Sequence, residues 1–182
     1  MKSGKSQKVV DGVLGRVAQV ERAVTFVAFL LLIAAVFADV LSREITGTGL
    51  HWARQSGVYA NVIVVMFGLG LASGGGSHLR PRFADGWLPA RLGPHLDRAN
   101  DLGMAAFCIA FAVVAANVVT DSFALQERSV ALRIAVWPFQ AVVPLAFGIA
   151  GLRHLAYTIY PDLRPVDVSA LATELDDQEG AG

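Results

Sequence analysis

Few residues of this chain are equipped for chemistry, and their positions limit what they can support. His78 and His154 follow the second and fourth of four apolar runs. Two imidazoles emerging at one membrane face could clamp a haem between helices. Both lie outside the apolar stretches with arginines close by, Arg80 and Arg153, which fits simple interfacial positions better. Asp39 precedes Arg43 by one helical turn near the end of the first run, a spacing that reads as a local ion pair more readily than as a proton relay. Asn61, Asn117 and Gln140 are amides inside apolar runs and could bond across helices. Cys108 is the single cysteine and lies in an apolar run, so the chain forms no internal disulfide and offers no CxxC motif. No GxSxG, HExxH, P-loop or dinucleotide fingerprint is present. The glycines at 74 to 76 end an apolar run instead of following a strand, which argues against a phosphate cradle. Ionisable groups within spans usually mark an ion or proton path. This chain has almost none, and no repeat of broken helices of the kind that forms transporter binding sites. These absences point to an accessory or scaffolding subunit, not an enzyme, and no cofactor or metal ligand set is assigned.

The elements that position these residues are membrane helices. Of 182 residues, 54% are hydrophobic and 16% charged, whereas a soluble domain carries about a quarter charged residues. Fifteen basic and fifteen acidic residues cancel, so nothing in the bulk charge suggests nucleic acid. The predicted architecture is an all-α integral membrane protein in three parts: a basic amphipathic leader over 1–22, a four-span domain over 23–152, and an acidic tail over 153–182. In the leader, Val9, Val10, Val13, Leu14, Val17 and Val20 fall within about 140° on a helical wheel, the pattern of an interfacial helix lying on the inner membrane surface. A disordered positive leader is the alternative. Spans are predicted at 23–41, 57–74, 102–120 and 134–152; nineteen residues make a helix of about 28 Å, close to the bilayer's hydrocarbon thickness. Val36-Phe37-Ala38 has the look of a signal-peptidase site, but a long leader with acids and three further spans argue against cleavage. Gly68, Gly70, Ala72 and Gly74 give small-xxx-small spacings in the second span, and alanines at 106, 110, 112 and 116 do so in the third. Pro144 should kink the fourth span at its middle. The tail, with Asp167, Glu174, Asp176, Asp177 and Glu179, reads as disordered beyond a short turn.

Charge then sets orientation. The stretch from Ser73 to Pro89 joins the two halves and mixes His78, Arg80 and Arg82 with Phe83 and Trp87, as a segment grazing the headgroups would. Leader, central loop and tail hold eleven Lys and Arg residues, and the two short hinges hold four, Arg43, Arg54, Arg128 and Arg133. The positive-inside rule therefore predicts both termini and the central loop in the cytoplasm, with Trp52 and Trp137 at the outer interface.

In order and spacing the chain resembles the DctQ-like small membrane subunit of tripartite ATP-independent periplasmic (TRAP) transporters. The residues that carry the resemblance are Arg43 after the first span, Trp52 opening the second, Gly68 within it, His78-Leu79 opening the loop, Leu88-Pro89 closing it, and Val143-Pro144 in the fourth span. It extends over roughly Val40 to Gly151. Arg54 and Gln55 stand where the family has an acidic pair, Arg82 where an Asp is frequent, and Ala135 where a Pro often precedes the fourth span. The resemblance implies a multi-pass subunit of the bacterial inner membrane, without a catalytic site or cofactor. It also implies that the subunit pairs with a large multi-span membrane subunit bearing the substrate and ion sites, supplied by a periplasmic solute-binding protein. Organic acids are the implied substrate class, and Arg43, Trp52, Gly68, His78, Leu88, Pro89 and Pro144 become candidates for structural or partner contacts. The runner-up is a membrane anchor of a respiratory enzyme, binding haem through His78 and His154.

Overall fold

A computed structural model describes residues 3–74 and 93–163, with side chains for 7–72 and 98–163. Four helices in it are long and apolar enough to cross a membrane: Gln7–Thr46, His51–Ala72, Arg98–Ala124 and Trp137–Ile159. They belong to α1 (Ser3–Thr46), α2 (His51–Gly74), α3 (Gly93–Ala124), a one-turn α4 (Trp137–Gln140) and α5 (Val142–Ile159). A 3-10 turn, Pro161–Leu163, follows. His78, Leu88 and Pro89, with the whole central loop, lie outside the described residues, as does the chain after 163.

The first helix is longer than its predicted span. Its 44 residues hold no proline, and nothing turns the chain between Arg22 and Ala23. At 1.5 Å per residue α1 reaches about 66 Å, twice the hydrocarbon thickness. Of the predicted surface helix over 1–22, residues 3–22 are helical and are not set off from the span; the two are one rod. Gly47, with φ of 74°, ends it in the left-handed conformation that glycine adopts without strain, and its N–H donates to the Arg43 carbonyl at 3.0 Å.

Two helical pairs form the membrane body. On α1 the buried positions are Glu21, Ala28, Ala35 and Asp39, and the seven-residue spacing of the first three is that of a left-handed helix pair. They meet a narrow seam on α2 made of Ala53, Gly57, Ala60 and Phe67. Small side chains bring the axes close, so a Cβ at Gly57 would sit 3.7 Å from Leu32 Cδ1, an ordinary contact. The second pair is α3 with α5, where Asp101, Ala105 and Cys108 face Ala146, Gly151 and His154. Packing there is tightest at Gly151, whose added Cβ would lie 2.9 Å from Ile109 Cγ1. Between the pairs α2 packs on α5, so the helices stand in an open row, α1, α2, α5, α3. The edge helices have partners on one side alone among the described residues.

The fourth helical stretch departs from expectation at both ends. It is interrupted at Ala141, and Pro144 lies in the opening turn of α5 instead of at the middle of a span. Pro144 has no N–H to give the carbonyl of Gln140, so the weak link falls one turn before the ring. From there α5 runs to Ile159, past the predicted limit of Leu152. Arg153 and His154, which the sequence placed at the head of a soluble tail, are inside this helix and 2% exposed. Before it, residues 127–136 close a small hairpin: Ser129 N–H donates to Ile134 and Val136 N–H to Glu127. An antiparallel bridge pairs Arg128 with Ala135.

Candidate functional site

The buried charged side chains gather at the two ends of the helical row. One junction lies at the α1–α2 turn. Asp39 is the last buried position on α1, with a carboxylate that works in two directions. Oδ2 accepts from Arg43 Nη2 at 2.5 Å, and Oδ1 accepts from the backbone N–H of Leu50 at 2.6 Å. Leu50 immediately precedes α2, so a side chain of one helix caps the start of the next, where unpaired N–H groups and the helix dipole favour an anion. Gly49 makes this approach possible: a Cβ there would be 2.8 Å from Asp39 Oδ1 and 3.4 Å from Arg43 Nη2. The pair expected from the i, i+4 spacing is therefore present, and it also acts as a hook across the turn.

The second junction, at the opposite end of the row, is larger and was not foreseen. Arg153, on α5, reaches across α2 to α1. Its Nη2 meets Glu21 Oε2 at 2.6 Å, both side chains being 2% exposed, and its Nη1 donates to the carbonyl of Gly70. The guanidinium can cross because α2 presents a glycine there. A Cβ on Gly70 would fall 2.6 Å from Glu21 Oε1. One residue on, His154 Nδ1 lies 3.4 Å from Asp101 Oδ1 of α3, and its ring stands edge-on to Tyr157 at 6.0 Å. Adjacent residues of α5 thus reach both outer helices, Arg153 toward α1 and His154 toward α3. Two ends of this network are near neither's partner in sequence: Glu21 and Arg153 are separated by 132 positions. The available signal was Glu21 sharing the seven-residue spacing of Ala28 and Ala35, which put it on the buried seam.

The other sequence candidates are dispersed. Trp52 is 52% exposed at the start of α2. Gly68 is not the close-contact glycine of its helix, since a Cβ would meet nothing within 4 Å; Gly70 is. Pro144 shapes the α4–α5 break as described. Asn61 faces outward, Cys108 is buried between α3 and α5, and Gln140 Oε1 is buried without a hydrogen-bond partner among the described residues. No group of three metal-ligating side chains occurs among the described residues. Two clefts open in the half of the row nearer the α1–α2 turn, of about 410 and 600 Å³. Val58, Val62, Val118 and Val119 line the first, Ala34, Ala38 and Ile63 the second, and the stacked rings of Tyr59 and Phe139, 4.1 Å apart, border both.

The geometry is that of a braced helical row with apolar faces. A family model described as "Tripartite ATP-independent periplasmic transporters, DctQ component" matches residues 32–164, most of the chain. No match is found among curated proteins.

Proposed function

Because the chain belongs to the DctQ family and is the small membrane subunit of a TRAP transporter of the inner membrane, we propose that it serves as a rigid brace for the large membrane subunit during ion-coupled uptake of organic acids. The observation that carries this reading is where the charges are spent. Glu21 is matched by Arg153 and Asp39 by Arg43, each within reach of a backbone group that completes the contact. Between these junctions the described helices offer no Asp, Glu, Lys, Arg or His. An ion path needs a series of such groups across the bilayer; a brace needs them only where helices must be held together.

Solute recognition belongs elsewhere on the same reasoning. A carboxylate would need cationic or N–H donors in a concave site, whereas the lining of both clefts is overwhelmingly apolar. In this reading the large subunit holds the substrate and ion sites, a periplasmic binding protein selects the solute, and the termini lie in the cytoplasm. The haem-anchor alternative receives no support from the pairing of His154 with Asp101. The test is uptake by cells expressing the binding protein and large subunit with and without this chain. Loss of uptake together with loss of assembled large subunit is expected, and undiminished transport without the chain would refute the brace.

A further inference from the structure

The leader half of α1 presents more apolar surface than the described fold covers. Its stripe divides lengthwise. Val10, Leu14 and Val17 are partly buried, while Val9, Val13 and Val20 remain 63%, 55% and 61% exposed. For residues within the bilayer such exposure would be solved by lipid, but these are placed differently. Asp39 and Arg43 mark one edge of the hydrocarbon, and about 20 residues of helix cross it, which puts the other edge near Glu21. Val13 is then about 12 Å past that edge and Val9 about 18 Å past it along the unbroken rod. Both stand beyond the hydrocarbon, flanked by the exposed cations Lys8 and Arg16. An apolar stripe in water beside positive charge fits an amphipathic acidic segment.

We propose that this stripe is the docking seat of the chain's own C-terminal segment, residues 164–182. Three observations single it out. The chain leaves the described fold at the level of the stripe, because Asp162 Oδ2 lies 3.5 Å from Gln7 Nε2, about 3 Å along the rod from Val9 and about 160° round the helix from it, a distance the segment's length covers. The segment carries five acids, Asp167, Glu174, Asp176, Asp177 and Glu179, against one base, Arg164, so its charge complements the leader. Its apolar residues Val168, Leu171, Ala172 and Leu175 recur at helical spacing and fall within about 100° on a wheel. A stretch of that length is about 12 Å long as a helix, against about 16 Å from Val9 to Val20. The segment thereby closes the apolar half-stripe, and the two ends of the chain brace each other outside the membrane.

The test is cross-linking in membranes of cells producing the whole chain with the large subunit, in a Cys108→Ala background. Val13→Cys with Leu171→Cys should form a disulfide within one chain, identified by mass spectrometry, and the yield should fall by more than about half in 1 M salt, where the Debye length is about 3 Å. Deleting residues 165–182 should raise amide hydrogen exchange over residues 9–20 at least about three-fold, with no change over residues 28–39, which keeps the result separate from general unfolding. Cross-links to the large subunit or to a second copy would overturn the proposal by naming another occupant. So would exchange over 9–20 that is indifferent to the deletion.

Discussion

At the scale of single residues, Arg153 and Glu21 carry the sharpest expectation. Removing one member of a buried pair strands the other charge, at a cost of about 3–5 kcal/mol, whereas replacing both with apolar groups is often neutral. Arg153→Met should therefore sharply reduce recovery of assembled transporter, and Glu21→Leu combined with Arg153→Met should restore most of it; size-exclusion recovery from detergent extracts measures both. A double variant no better than the single one would mean that Arg153 has a role apart from this pair. At the other junction, Asp39→Ala removes the cap of α2 and should cost about 1 kcal/mol. Asp39→Asn keeps an acceptor for Leu50 N–H and should assemble and transport nearly normally. Arg43→Ala should cost more than Asp39→Asn, because the Arg43 side chain is 56% exposed but the carboxylate it leaves is 12% exposed and keeps only the Leu50 N–H. Uptake per assembled complex separates stability from mechanism; abolished transport in a well-assembled Asp39→Asn complex would put this carboxylate on an ion path. The Asp39–Arg43 pair was legible because helical periodicity alone brings residues four apart together. Its reach to Leu50 was not, since that depends on how four turn residues fold, and Glu21 with Arg153 was hidden because both looked like ordinary charges at the membrane edge.

At the scale of elements, the helix pairs rest on a few small residues that do not contribute equally. Gly151→Ala would press a methyl toward Ile109 and Cys108, and overpacking of this kind costs about 1–3 kcal/mol. Gly148→Ala and Gly68→Ala meet nothing within 4 Å and should be neutral. Thermal unfolding of the detergent-solubilised complex checks the ranking, and equal effects at all three positions would contradict the α3–α5 seam. Apolar runs were sufficient to locate four helices, and their lengths were set by features that hydropathy does not weigh. The fourth helix could run on through Arg153 and His154 because Glu21 and Asp101 receive them. The small-residue spacing of α2 was visible as a pattern, but Gly68 and Gly70 lie 200° apart on the helix, and only the packed structure says which of them faces a neighbour.

At the scale of the whole molecule, orientation is the first expectation to check. Single cysteines at Thr48 and Gln126 should react with an impermeant thiol reagent in intact cells, and those at Asp85 and Glu174 should not; labelling at Asp85 would reverse the topology. The span count and the family were within reach of the sequence because both rest on local composition and order. The neighbour relations were not, since nothing local says that α5 comes between α2 and α3. That order has a consequence for how the protein sits in its bilayer. Four helices side by side at about 8–10 Å spacing make a fin about 40 Å broad. Tipping such a fin by 10° in its own plane would raise one edge about 7 Å relative to the other, and each ångström of mismatch costs fractions of a kcal/mol. A lone helix leans at little expense; a fin resists rolling. Joined to a moving partner, the subunit would act as a keel, holding the assembly's attitude to the membrane while the rest of it works.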